Sequence, residues 1–242
     1  MTAAELLAII RADYLDDTVG GTGGADYNWT DTFLYREIGR AQQEACWRQD
    51  LRHFFDTSTA EICEITVAAG DRDLALDPRI LIINQALLGT VVLEHTTQAH
   101  LDERRFNWRG NTYGNVTRFF INGRTLYLDY LPTAGTLYLE VWRGPLLDPS
   151  EIAANSDEEL EWTDNQEDLA NWVAFRAFSR REEDTYDPQR ALDHRALFDS
   201  VFGQEVKPRE RLEMLRYPGH LDFGPLNQYA QPSDRRLSFD YE

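Results

Sequence analysis

The stretch Thr163–Phe202, TDNQEDLANWVAFRAFSRREEDTYDPQRALDHRALFDSVF, decides the fold. It predicts two helices joined by a tight bend. Thr163 with Gln166, or Asp164 with Glu167, offers an N-cap whose third helical residue reaches back to the cap. Leu169, Trp172, Val173, Ala177 and Phe178 then recur at helical spacing. Ala170, Ala174 and Phe175 make the opposite side apolar as well, so this helix needs two packing partners. Asp187 caps a second helix with Pro188 at its first position, where no amide partner is lost. Its expected buried side is Ala191, Leu192, Leu197, Phe198, Val201 and Phe202, and Gly203 is the stop.

Working outward, Thr2 and Glu5 form a capping-box pattern for a short helix bearing Leu6, Leu7, Ile10 and Leu15. The loop Gly20–Gly24 follows; without a preceding strand or a Gly-Lys-Ser/Thr sequence it reads as a linker and not as a phosphate cradle. Thr30 caps a longer helix with Trp29 placed to staple onto Leu34. Leu34, Ile38, Ala41 and Ala45 are its inner stripe, widened by Phe33. Arg36, Glu37, Arg40, Gln43, Glu44 and Arg48 are left for outer faces.

From about residue 57 to 146 the period becomes alternating. Cys63, Ile65 and Val67 alternate with polar neighbours, and Leu74 and Leu76 resume after the Gly70-Asp71 turn. Ile80–Leu93 has room for one or two strands. Asn122-Gly123 predicts a two-residue hairpin turn between Val116–Ile121 and Arg124–Tyr130. Along Thr136–Arg143, Leu137, Leu139 and Val141 face one way, and Tyr138, Glu140 and Trp142 the other. This is the pattern of antiparallel strands with one wet face.

The expected class is therefore α+β, a helical domain with an inserted antiparallel β-module and an extended C-terminal arm. The boundaries are 1–56 for the N-terminal helices, 57–146 for the β-module, 147–163 for an acidic linker, 164–203 for the helical hairpin and 204–242 for the arm. Asp148–Asp168 carries nine acidic side chains and no basic one. Its plainer reading is a solvated linker; the alternative is a deliberately negative surface, with Asp157, Glu158, Glu159 and Glu161 as its centre. The arm is near neutral, with seven acidic and six basic side chains from 203 to 242, and it keeps Tyr217, Phe223, Tyr229, Phe239 and Tyr241. Disordered tails rarely hold so many aromatics, so the arm is expected to be ordered by another subunit.

The formal net charge is −18, well beyond the roughly 2–8 that keeps a small domain soluble. Such a chain lacks the basic face of a general nucleic-acid binder and should repel DNA. The basic residues are 23 arginines and one lysine, Lys207; a GC-rich genome accounts for this, and so does a use of Arg in bidentate ion pairs at interfaces. Cys46 and Cys63 are too few for a disulfide framework. No signal peptide or membrane-spanning run is evident, which predicts a soluble protein without a membrane partner.

Catalytic and metal signatures are weak. His95 and His100, spaced for neither helix-face ligation nor HExxH, read as surface histidines, and His194 reads as a helix-surface residue; His53 and His220 complete the five. No nucleophile sits in a GxSxG or Cys/His setting. No cofactor is expected. The cluster Asp102-Glu103-Arg104-Arg105 with Trp108 is the place where carboxylates beside an exposed aromatic would suit a sugar. With Tyr113, Tyr127, Tyr138 and Trp142 it motivates a carbohydrate-binding or carbohydrate-cleaving reading.

Several segments together resemble the head-to-tail adaptor proteins of tailed bacteriophages. They are Trp29-Thr30-Asp31 leading into EIGRAQQEA (Glu37–Ala45), GDRDLALDPRIL (Gly70–Leu81) and LANWVAFRAFSRREEDTYDP (Leu169–Pro188). The likeness covers about residues 1 to 203 and leaves the arm unmatched. It implies a structural virion protein with no turnover, a twelve-copy ring docked under the portal protein that extends the DNA channel and joins head to tail or nozzle protein. It also implies that copies can stay monomeric until they meet the portal. The alternatives are a carbohydrate-binding or carbohydrate-cleaving tail component, or a tail-tube protein of the same assembly. In such a ring an acidic lumen would let DNA slide, and Arg176, Arg180 and Arg181 become candidate contacts between subunits. The arm aromatics become portal-docking candidates, and the acidic residues 157, 158, 159 and 161 channel candidates.

Overall fold

The computed structural model describes residues 1–16, 28–48, 54–104, 108–110, 113–181 and 185–216. The glycine-rich loop, His53, Arg105, His220 and the five arm aromatics lie outside these residues.

The chain is α+β. Helix α1 (Ala3–Ile9) opens with the full capping box: Thr2 N–H donates to Glu5 Oε2 (2.8 Å) and Glu5 N–H to Thr2 Oγ1 (3.1 Å). It runs on as a π-helical turn, Ile10–Tyr14. Helix α2 (Asp31–Arg48) buries Leu34, Ile38, Ala41 and Ala45 completely, as the spacing requires. Trp29 is buried at its head, edge-on to Phe178 at 5.7 Å, and so ties the start of α2 to a helix far along the chain.

That helix is α5 (Leu169–Phe178). Neither expected cap pair forms. A 3-10 turn, Gln166–Asp168, leads into α5 from Asn165 in the left-handed region, and Asp168 caps without a side-chain bond. The two-sided apolar character has the expected consequence, because α5 packs against both α2 and α6 (Pro188–Phe202). The Asp187 carboxylate accepts from the Gln189 and Arg190 amides, both at 3.1 Å, and Pro188 sits in the first turn. Gly203 ends α6 at φ +85°, where a side chain would be strained. Leu192 and Leu197, however, are 57% and 53% exposed. The buried side of α6 is narrower than the apolar pattern suggests, resting on Ala191, Phe198 and Phe202.

The strands are β1 (Phe54–Asp56), β2 (Glu64–Val67), β3 (Asp73–Ala75), β4 (Ile80–Leu88), β5 (Val91–Val92), β6 (Glu94–His95), β7 (Arg118–Asn122), β8 (Thr125–Leu128) and β9 (Gly135–Arg143). One sheet has β9 at its centre, β4 then β5 on one side, and β1 and β2 along the other. The second runs β3-β8-β7-β6. The hairpin between β7 and β8 forms, but its two-residue turn lies one position later than expected: Asn122 is the last residue of β7, opposite Thr125, and Gly123-Arg124 make the turn with Gly123 at φ +63°.

Two strand-level expectations change. Cys63 ends a helical turn, α3 (Ala60–Cys63), so only Glu64–Val67 is strand. The β6–β7 pair is parallel, because the segment between them holds helix α4 (Gln98–Arg104) and supplies the crossover that parallel neighbours need.

The inner faces of the two sheets share one apolar cluster, including Ile80, Ile83, Phe119, Ile121, Leu126, Leu137, Leu139 and Val141. The helices form another with Trp29, Ile38, Trp162, Phe198 and Phe202, and this one also takes in Leu81 and Ile82. A register shift between Ile80 and Ile82 lets those two consecutive residues both turn toward the helices. Strand β4 is thus covered on both faces.

The first part of the expected arm is not extended. Residues Pro208–Arg216 form α7, opened by Lys207 N–H donating to Glu210 Oε2 (2.9 Å) and braced by an Arg209–Glu213 pair at i,i+4. Met214 joins the helical cluster and Leu215 the strand cluster.

Candidate functional site

On α2, Glu37 was expected on an outer face, yet its side chain is fully buried. A carboxylate removed from water must be compensated by cations, and three arginines do this. Arg40 donates to Oε1 at 2.6 Å, Arg36 Nε lies 3.7 Å from the same oxygen, and Arg176 Nε of α5 lies 3.3 Å from Oε2. Their own side chains stay half exposed, at 43%, 46% and 43%. Beside them the Arg180 guanidinium lies over the Phe33 ring at 4.8 Å from its centre, and Arg36 approaches the same ring at 5.8 Å. The structure thus gathers Arg176 and Arg180 with Arg36 and Arg40; Arg181 is exposed just beyond. The sequence signal for Glu37 and Arg36 was absent, since helical periodicity alone puts them on a polar face.

Arg48, also expected outside, is buried between α2, α5 and α6. It donates to Asp199 Oδ1 and to the Gly203 carbonyl (3.3 Å), and its guanidinium lies 5.0 Å from the Phe198 ring centre and 5.5 Å from that of Trp172. Glu44, 3.5 Å from Arg48, accepts both Arg211 bonds at 3.0 and 2.9 Å, which fixes α7 to α2.

The acidic stretch 148–168 is not simply a solvated linker. Ile152, Leu160 and Trp162 are buried in the helical cluster. The segment also pairs with the N-terminus through Ala4 N–H to the Ser156 carbonyl (3.0 Å) and Leu160 N–H to the Met1 carbonyl (3.0 Å). Asp157, Glu158 and Glu159 are exposed. Glu161 differs from them: its Oε1 lies 2.6 Å from Arg143 Nη1, and its Oε2 accepts the Leu146 amide at 2.8 Å. Arg143 Nε in turn donates to the buried Asp56 at 2.5 Å. Burial pushes the Asp56 carboxyl upward, but bonds from Thr59, Ser58 and Arg143 outweigh it and hold the group well below the ordinary carboxylate range.

Within the sugar-type cluster, Asp102 and Trp108 are engaged with each other and with Arg109. Trp108 is 8% exposed, its Nε1–H donates to Asp102 at 2.7 Å, its ring meets Phe120 edge-on, and Arg109 covers it at 4.6 Å. The expectation of an exposed aromatic there is corrected, because the ring is used in packing. His194 is no plain surface residue, since it packs parallel to Phe178 and bonds Asn171 Oδ1 at 3.0 Å; burial and then Arg190 lower its pKa. His95 is not a surface histidine either: its ring meets Phe119 edge-on at 5.1 Å, and burial lowers its pKa. No group of three or more metal-ligating residues occurs among the described residues. Nor is any helix among them long and apolar enough to cross a membrane.

No curated protein matches the sequence. A family model described as SU10 adaptor protein matches residues 1–221, which takes in α1 through α7 and both sheets. The chain therefore belongs to this bacteriophage adaptor family, and it is a structural component of a virion.

Proposed function

We propose that the chain works as a head-to-tail adaptor, with twelve copies forming a ring that docks under the portal protein, extends the DNA channel and receives the tail or nozzle protein. The family match over residues 1–221 carries this reading. The helices α1, α2, α5 and α6 would form the ring body around their shared apolar cluster. The exposed carboxylates of Asp157, Glu158 and Glu159 are candidates for the channel wall, where negative charge would keep phosphates from sticking. Residues 217–242, with Tyr217, Phe223, Tyr229, Phe239 and Tyr241, would reach the portal, since aromatic anchors dominate interface energy.

The work of such a protein is geometric. Electron microscopy of the protein mixed with its portal protein, or of virions, tests the proposal. A ring of adaptor density below the portal is expected. A particle that remains monomeric in the presence of the portal, and is missing from the head-to-tail junction of virions, refutes it.

A further inference from the structure

We propose that the guanidinium cluster Arg36–Arg40–Arg176, held by the buried Glu37, is the receiving half of a contact with carboxylates of a second copy of this chain. This rests on the ring reading above. Three cations converge on one carboxylate of zero exposure. The carboxylate can neutralise only one of them, so the cluster keeps positive charge at a surface on a chain of net charge −18. Arg40 is hydrogen-bonded to Glu37, Arg36 and Arg176 stand beside it as ion-pair partners at 3.7 and 3.3 Å, and all three side chains remain about half exposed.

Arg suits this arrangement, because its planar fork has donors left over after the first carboxylate is met, and a fork already fixed loses less entropy on binding. Phe33 adds to the fixing by lying beneath Arg36. The occupant follows from charge. With 42 acidic against 24 basic residues, another copy presents an abundance of carboxylates. A closed ring needs two different surfaces on each copy to meet head-to-tail, and a basic patch on an acidic chain provides that difference. DNA phosphate would also be attracted, but an arginine cluster facing the lumen would hold the DNA that the channel must release.

Lys207 is the chain's sole lysine, which makes zero-length carbodiimide crosslinking selective. Arg36→Lys and Arg40→Lys keep the charge that Glu37 needs, so both should fold. Light and heavy isotope-labelled copies of each variant are mixed, assembled on portal particles and crosslinked. The introduced amine should join carboxylates across light–heavy pairs, with a link to Glu37 inside one copy as the control for folding. Arg36→Gln, which removes the most distant of the three cations, should raise the concentration for half-assembly on the order of fivefold.

Rings that form normally while the new amine links only within its own copy, or only to the portal or tail protein, overturn this inference and leave the ring reading standing. Copies that never assemble remove both. Duplex DNA retained by the wild-type chain at low salt and released by Arg36→Gln overturns the inference in favour of phosphate binding.

Discussion

Replacing Glu161 with lysine separates two meanings of the acidic stretch. If all four acidic candidates merely coat a surface, then Asp157→Lys, Glu158→Lys, Glu159→Lys and Glu161→Lys are alike for stability. The structure says otherwise. Asp157, Glu158 and Glu159 are exposed, and surface substitutions of this kind stay within about 0.5 kcal/mol each. Glu161 is only 29% exposed, ion-paired to Arg143 at 2.6 Å and bonded by the Leu146 amide at 2.8 Å. Its lysine variant loses the amide bond, about 1 kcal/mol. It also loses the ion pair and sets a like charge beside Arg143, whose side chain is 9% exposed. A buried pair broken outright costs about 3–5 kcal/mol. Here Asp56 still compensates Arg143, so about 2–4 kcal/mol in total is expected. Denaturant unfolding of Glu161→Lys beside the triple variant at 157, 158 and 159 measures the difference. The midpoint should fall clearly for the single variant and little for the triple one. Equal stability of the two, or a triple variant less stable than the single one, would refute the assignment of Glu161 to the Arg143 network. The triple variant is then the proper probe of the channel: slower DNA ejection supports a lumenal position, and unchanged kinetics remove it.

Three further outcomes are expected. The Asp56 carboxyl is depressed in the folded chain, so its contribution is present above the unfolded pKa near 4 and is lost as pH falls below that value toward the folded one; unfolding of wild type and Asp56→Asn from pH 7 to pH 2 should show the difference between them shrinking only below about pH 4, and a constant difference would contradict it. Gly39→Ala should lower stability by about 1–3 kcal/mol, against the usual helical gain, because the added Cβ would stand 2.6 Å from Pro149 Cα and 3.0 Å from Ile152 Cγ1; a higher melting temperature would be the contrary result. Truncation after Gly203 removes Met214 and Leu215 from the two cores and should cost about 3–6 kcal/mol relative to truncation after Arg216; equal midpoints would place α7 outside the folding unit.

Local chemistry was legible where one short segment settles its own conformation. The Thr2–Glu5 box, the Asp187-Pro188 cap, the hairpin at Gly123 (to within one residue) and the alternation of β9 each depend on residues within a few positions. What failed depends on partners far along the chain. Arg48 is buried because Asp199 lies against it 151 residues later. Leu192 and Leu197 look like core by type, and only the narrow contact of α6 with its neighbours leaves them outside. The acidic stretch carries a local signal of its own burial: Leu160 and Trp162 alternate with carboxylates, a period that separates a buried face from a wet one.

The candidate site shows why a helix face cannot be read from one helix. Successive residues of α2 advance by about 100°, so Glu37, Ile38, Gly39 and Arg40 point in four directions. Ile38 enters the helical core, and Gly39 closes against Pro149 at the start of the acidic stretch. Glu37 turns toward Arg176 of α5, and Arg40 reaches back over Glu37 toward water. A buried carboxylate beneath a second helix needs cations or donors to meet it, and Arg176 is available because the apolar face of α5 lies on its other residues. The same four residues open EIGRAQQEA, and Arg176 lies within LANWVAFRAFSRREEDTYDP, two segments that carry the family resemblance. Their meeting at Glu37 gives that resemblance a physical content. The α2–α5 contact that builds the core also fixes a set of half-exposed arginines at the surface, so packing and the proposed contact between copies cannot vary independently.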